Sequence, residues 1–281
     1  MEHRSRNQRN KNYRPMKNHR EQPSDGPRKK KKFGQHFLRK QSVVDHMIER
    51  VSITPETTVM EIGCGDGFLT QSILHQTPCK NLLVYEIDPE WLHFVKEHIR
   101  DPRLHLNLKN ILELDCETEL KDHQPLVLLA NLPYQVTFPI LFLIQNHKHL
   151  FQEGVVMVQE EVAYKITASS GRGFSSTSLF LQHHFKWQLM ERIEPGAFTP
   201  PPKINSRLLY FKPRFDQPTI PNEAAFWKFL KLCFNTPRQT LKNNLRTTHY
   251  PYQRLSEETL GLRAQQLSFD EFLTIWQLLM P

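Results

Sequence analysis

Three glycines at alternate positions, Gly63, Gly65 and Gly67, punctuate the stretch Glu61-Ile62-Gly63-Cys64-Gly65-Asp66-Gly67, directly after a short apolar run. Glycine lets a backbone turn sharply and approach a ligand closely where a strand gives way to a helix. The spacing is GxGxG, whereas the dinucleotide fingerprint is GxGxxG, and Asp66 is a poor neighbour for phosphate. A carboxylate there suits a cationic or hydroxylated ligand better. The next apolar run ends in Tyr85-Glu86-Ile87-Asp88, and an acid about 20 residues past such glycines is placed to accept hydrogen bonds from ribose hydroxyls. S-Adenosylmethionine carries a ribose, an adenine and a sulfonium cation, and no phosphate. A tight turn or a solvated acid would explain either piece alone; the two in register point to that cofactor.

A second group of residues follows the apolar run PLVLLA: Asn131, Leu132, Pro133 and Tyr134. In a doubly wound sheet, ligands lie beyond the carboxyl ends of the strands, near the switch point, which sets Asn131 across a crevice from the methyl donor. A side-chain amide oxygen accepts hydrogen bonds from an exocyclic amino group. The N6 lone pair of adenine is delocalised into the ring and is a poor nucleophile. Holding its hydrogens on acceptors favours a pyramidal nitrogen whose lone pair points at the methyl carbon. Pro133 fixes φ and stiffens the loop, and Tyr134 offers a face on which a flipped base can stack. Taken by itself, N-x-P-Y is a strand-ending turn with one core aromatic.

The elements that must position these groups are legible as alternating short apolar strands and helices. TVMEIG (58–63), NLLVYEI (81–87), RLHLNL (103–108), PLVLLA (125–130) and GVVMVQ (154–159) read as strands. FLTQSILHQ, EWLHFVKEHI and FPILFLIQN read as intervening helices, and Val44, Ile48 and Val51 give a helical stripe closed by Thr54 and Pro55. Such alternation predicts an α/β fold with an open, mostly parallel sheet covered on both faces. KWQLMERI and NSRLLYFKP, joined through a proline-rich bend, predict a late antiparallel hairpin. From about residue 222 the pattern is wholly helical, which predicts a small second domain.

Charge is distributed unevenly. Residues 1–32 hold twelve Lys or Arg against three acids, leaving 25 basic and 26 acidic residues in the rest of the chain. This tail has almost no large apolar residues and is expected to be disordered, adding salt-sensitive affinity for RNA or acting only as a solubilising leader. No run of about 18 apolar residues suggests a membrane span. The four cysteines are scattered without a CxxC pair, which fits a reducing cytoplasm and gives no disulfide framework or metal site.

The segments KKFGQHFL (31–38), EIGCGDG (61–67), YEID (85–88), NLPY (131–134), MVQEEV (157–162), FTPPPKINS (198–206) and FNTPRQTLKNNL (234–245) occur in the order and spacing of the KsgA/RsmA family. The chain resembles these small-subunit rRNA adenine N6,N6-dimethyltransferases over about residues 31–281. The 23S erythromycin-resistance methyltransferases share the catalytic core, but the full FTPPPKINS and the long helical C-terminus look more like the KsgA side.

The resemblance implies a Rossmann-like class I methyltransferase domain over 33–215, after the tail of 1–32, and a helical domain over 216–281. It implies that His36 and Leu38 close over the methionine portion of S-adenosylmethionine, that Gly63 lies against the cofactor and that Glu86 holds the ribose. It further implies an acceptor site of Asn131, Leu132, Pro133 and Tyr134, with Tyr134 and Phe198 sandwiching the target adenine and Asn131 joining donor to acceptor. Where the family usually has an aspartate accepting from the cofactor adenine amine, this chain has Asn110. Cys64 stands where proline is common, and Ser175 and Ser176 where a glycine–arginine pair is common. The implied partner is 16S rRNA in the immature small ribosomal subunit, met by a cytoplasmic, metal-free monomer. Arg238, Lys242 and Arg246, four residues apart, are expected on one helix face toward RNA or solvent. Two alternatives stay open: an RNA-binding assembly factor with weak catalysis, and a methyltransferase acting on another rRNA.

Overall fold

The computed structural model describes residues 26–27, 36–171 and 173–280. Apart from 26–27, the basic tail lies outside the described residues, as do 33–35 of the FGQHFL motif. In chain order the elements are β1 (Phe37–Leu38), α1 (Gln41–Glu49), β2 (Thr58–Ile62), α2 (Phe68–Gln76), β3 (Asn81–Glu86), α3 (Pro89–His98), β4 (Leu104–Leu108) and α4 (Cys116–Leu120). There follow β5 (Leu126–Asn131), α5 (Thr137–Asn146), β6 (Phe151–Gln159), α6 (Glu160–Thr167), α7 (Ser176–His184), β7 (Phe185–Ile193), β8 (Phe198–Thr199) and β9 (Ser206–Pro213). The chain closes with α8 (Glu223–Cys233), α9 (Leu241–Leu245), α10 (Glu257–Gly261) and α11 (Phe269–Leu279).

The main sheet has the order β4-β3-β2-β5-β6-β9-β7. β2, β3, β4, β5 and β6 pair in parallel, and β9 is antiparallel to both of its neighbours. The late hairpin expected from the sequence is therefore present, with β9 alone running against the rest. The chain enters at β2, winds outward to β4, then returns to β5 on the other side, so the switch point lies between β2 and β5. This is the open, mostly parallel sheet expected from the alternation, in the Rossmann-like form that the resemblance implies.

Successive residues of a strand face opposite ways, and here both faces are covered. Met60, Leu128 and Val156 pack in one cluster, while Val59, Val127 and Val155 pack in the other. That double burial is why the central strands read as continuous apolar runs rather than alternating ones. After β3, Asp88 caps α3 by accepting from the Glu90 N–H (3.1 Å), with Pro89 in the first turn.

The helical region has its own core, in which Phe226, Phe229, Phe272 and Trp276 are fully or almost fully buried. Phe174 and Leu179 join that cluster, so the helices pack onto the 174–179 segment as well as onto each other. Ser175 caps α7 by accepting from the Ser178 N–H (3.3 Å) while its own N–H donates to Ser178 Oγ (3.0 Å). The serines at this point of the loop thus serve as a helix start. α6 and α7 carried no sequence expectation. α6 has eight residues, too few for a clear period. Among the described residues no helix is long and apolar enough to cross a membrane.

The expectation that Arg238, Lys242 and Arg246 share a helix face is corrected by the structure. Thr240 caps α9 by accepting from Asn243 N–H (3.4 Å), so the helix begins at Leu241 and Arg238 lies before it in a turn. Lys242 is paired with Glu257 at 3.0 Å, and Arg246 is the C-cap.

Candidate active site

A cavity of about 300 Å³ opens at the carboxyl ends of β2, β3 and β5, at the switch point. On one side runs the glycine loop. Gly63, Gly65 and Gly67 all have left-handed φ, at 77°, 53° and 83°, a region costly for residues with a Cβ. At Gly65 a Cβ would also sit 2.5 Å from the Phe37 ring, whereas at Gly63 it would meet no atom within 4 Å. The space beside Gly63 is the cavity itself.

Glu86 ends β3 at 7% exposure. One carboxylate oxygen accepts from the Asp88 N–H (2.8 Å) and the other from the Gly65 N–H (3.3 Å). The carboxylate thereby ties the glycine loop to the strand and keeps lone pairs for a ligand. Burial pushes its pKa up, partly offset by those backbone donors. Cys64 Sγ lies 3.8 Å from the same carboxylate and is buried. Asp66, whose charge argued against a phosphate ligand, forms an ion pair with Arg39. The loop is therefore less repulsive than its sequence implied, and the selection against phosphate rests more on the buried Glu86.

Glu61 is a residue that the sequence reading quoted but did not select. It lines the cavity at 1% exposure. Its Oε2 accepts from the Thr70 hydroxyl at 2.7 Å, and its Oε1 is buried without a partner among the described residues. Burial pushes its pKa up to about 8, with the Thr70 hydroxyl pulling the other way and the nearby Glu86 adding to the rise. A buried carboxyl with one unmatched oxygen, facing an apolar-walled cavity, is chemically matched to a cation. Its signal in the sequence was an acid inside an otherwise apolar strand.

Across the cavity, Asn131 ends β5. Its Nδ2 donates to the His36 carbonyl at 3.1 Å, which fixes the amide of this cavity-lining residue and leaves Oδ1 available as an acceptor. Leu132 is buried and its N–H donates to the Met157 carbonyl at 3.1 Å, holding the turn against β6. Tyr134 is half-buried and its hydroxyl bonds Ser206 Oγ at 2.6 Å. Pro133 lies between them on the wall.

His36 and Leu38 also line the cavity, carried by a strap that the sequence did not reveal. β1 pairs antiparallel with β8, matching Leu38 with Phe198 and Phe37 with Thr199. Arg39 N–H donates to the Ala197 carbonyl (2.7 Å), and His36 Nδ1 donates to the Pro200 carbonyl (2.8 Å). The FTPPP segment thus stitches the start of the domain across the cavity, from about 160 residues away in sequence. Local patterning carries no trace of such a pairing.

Two expected placements change. Phe198 is 3% exposed, packs in the same core cluster as Leu38, and is not part of the cavity lining. Pairing through β8 turns its ring into the core, and the ring stacked with Tyr134 is that of His36, at 5.9 Å and 25°. Asn110 does line the cavity, but its Oδ1 accepts from the Leu112 N–H (3.1 Å), capping a short 3-10 turn, and its Nδ2 donates to Glu113 (2.9 Å). One lone pair of that oxygen is thus already engaged.

Residues 26–280 match the model of a family described as ribosomal RNA adenine dimethylase. The chain belongs to that family. This dimethylase is an S-adenosylmethionine-dependent rRNA adenine N6,N6-dimethyltransferase. It is 35% identical to a ribosomal RNA small subunit methyltransferase A from Syntrophotalea carbinolica, over 90% of this chain and 98% of the relative. It is 31% identical to the protein of the same name from Chlorobium phaeobacteroides, over 90% and 91% respectively. Among solved structures, its fold is similar to a dimethyladenosine transferase from Plasmodium falciparum, with TM-score 0.73 and 22% identity over 86% of this chain and 96% of that one. It is also similar to the 23S rRNA methyltransferase ErmE, with TM-score 0.66 and 20% identity over 87% and 100%. The dimethylase fold explains why the glycine loop and NLPY face each other. β2 and β5 are neighbours in the sheet, so their carboxyl ends meet at one crevice.

Proposed function

We propose that this dimethylase acts on two adjacent adenines near the 3′ end of 16S rRNA in the immature small ribosomal subunit, methylating each N6 twice. The observation that carries the reading is the placement of Asn131 on the wall of the cavity, with its amide oriented by the His36 carbonyl at 3.1 Å. Asn131 Oδ1 accepts one N6 hydrogen and so turns the nitrogen lone pair toward the methyl group. Tyr134, anchored through Ser206, presents its ring to the extruded base. Leu132 and Pro133 hold the wall rigid, and Phe198 acts from the core by seating Leu38.

On the donor side, S-adenosylmethionine supplies the reactive methyl carbon. Glu86 holds the ribose, Gly63 admits the cofactor backbone-close, and His36 and Leu38 cover the methionine portion. Glu61 faces the cationic part. Asn110 meets the adenine, with its oxygen shared with the Leu112 N–H. The protein's contribution is alignment and exclusion of water. No strong base is needed, since N6 becomes cationic on methylation and then loses its proton to solvent.

Identity to relatives named for the small subunit supports the choice of RNA, and a basic excess confined to residues 1–32 supports a polyphosphate partner. Mass spectrometry of rRNA from a strain lacking the gene tests this directly. Loss of paired dimethyladenosines from 16S rRNA supports the reading, and loss from 23S rRNA alone overturns it.

A further inference from the structure

Outside the cavity, the last turn of α7 meets the first turn of α8 around a pair of adjacent imidazoles. His183 and His184 are 7% and 5% exposed. His183 Nδ1 and both ring nitrogens of His184 are buried without a hydrogen-bond partner among the described residues. Folded proteins pair nearly all such atoms, so three in neighbouring side chains need a physical reason. Aromatic rings wall the pair: His183 stacks on Phe269 at 4.8 Å, and Phe180 lies edge-on to His184 at 5.0 Å. Burial pushes the pKa of both imidazoles down.

Glu223 opens α8 and faces these rings. Its Oε1 is 3.3 Å from His184 Nε2, and the contact is not aligned as a hydrogen bond. Donor atoms from all three residues lie within 4.8 Å of one another. Tetrahedral zinc, with bonds of about 2.0–2.1 Å, spaces its donors roughly 3.3 Å apart. The His184–Glu223 separation already has that value, and the third donor needs to close by no more than about 1.5 Å to match it. Trp227 Nε1 donates to Glu223 Oε1 at 2.9 Å, the kind of outer contact that orients a ligating carboxylate. Lys148, whose charge reaches both rings, is held on the Arg214 carbonyl at 2.7 Å. It weakens a cation site without occupying its donors.

We propose that His183, His184 and Glu223 form a divalent-metal site, suited to zinc, that ties the helical domain to α7 of the methyltransferase domain. Two imidazoles and a carboxylate are a borderline donor set that favours zinc over magnesium. Glu223 is 46% exposed on its side chain, leaving a solvent route and a fourth position for water. The sequence suggests no metal site, since its cysteines form no CxxC pair and its histidines are scattered; the structure brings two of those histidines to a glutamate about forty residues further on.

The test uses the full-length protein freed of metal by chelation. Zinc is titrated by calorimetry, cobalt(II) by its visible spectrum, and bound zinc is counted by elemental analysis. One zinc per chain is expected, with a four-coordinate cobalt spectrum, a higher Tm in zinc and no response to magnesium. Glu223→Gln, at an exposed position, should weaken zinc binding at least tenfold, and His184→Gln should abolish it, with S-adenosylmethionine binding retained as a check on folding. Absence of a one-equivalent zinc site overturns the proposal, as does a site unchanged in Glu223→Gln. A buried water serving the rings instead gives the first of these results.

Discussion

Glu61 makes a prediction whose size follows from its surroundings. Its carboxyl is raised from 4.5 to about 8, and at roughly 1.4 kcal/mol per pH unit that corresponds to on the order of 4–5 kcal/mol once it ionises in the native state. Relaxation and water in the open cavity reduce this, so about 1–3 kcal/mol is the expected observable. Between pH 4.5 and about 8 the folded protein keeps a proton that the unfolded chain has released. Native protein therefore binds more protons there, and stability of the cofactor-free protein falls as pH rises through that window. Glu61→Gln removes this contribution and should raise the cofactor-free Tm at pH 8 by several degrees, at roughly 2–4 °C per kcal/mol. A cationic cofactor reverses the balance. Wild-type affinity for S-adenosylmethionine should strengthen from about pH 6.5 to 8.5 as the carboxylate forms, whereas Glu61→Gln should bind more weakly with a flat profile. Thermal unfolding with and without cofactor, together with calorimetry across the same pH range, reads both effects. Parallel stability–pH curves for wild type and variant would refute the reasoning.

Tyr134→Ala should lower kcat/KM for RNA by about 10- to 100-fold, the worth of one stacked base, leaving cofactor affinity unchanged; Tyr134→Phe loses only the 2.6 Å bond to Ser206 and should cost about 1 kcal/mol of stability at most. For Asn110→Asp, a charged acceptor gains on the cofactor amine but faces Glu113, whose carboxylate is 2.9 Å from the Asn110 amide. Calorimetry should show less than about a threefold change for the single variant, and tighter binding once Glu113→Gln is added.

Much of the fold was legible because the central strands are buried on both faces, which leaves apolar runs such as residues 126–130 unbroken, and because glycines mark the turns. Site residues on strand ends were legible for the same reason: Glu86 and Asn131 stand where apolar runs stop. Phe198 and the strap were not, since the β1–β8 pairing depends on two residues meeting two others across most of the chain, with no periodicity long enough to read. The partial commitment of Asn110 was hidden too, because an asparagine that caps a turn and one that binds a ligand look alike in sequence. Arg238, Lys242 and Arg246 had helical spacing, but Thr240 set the helix start between them.

The claim at the centre is that Asn131 aligns an adenine amine with the methyl donor. Single-turnover methyl transfer from S-adenosylmethionine into immature small subunits, measured for wild type and Asn131→Ala beside the cofactor Kd of each, tests it. Transfer should fall about 10²- to 10³-fold, the usual loss for a positioned polar group acting on the reacting atoms. The cofactor Kd should rise no more than about tenfold, the reach of the lost bond to the His36 carbonyl. A variant that transfers methyl groups within a few-fold of wild type, or whose loss is matched by its cofactor Kd, would contradict the account.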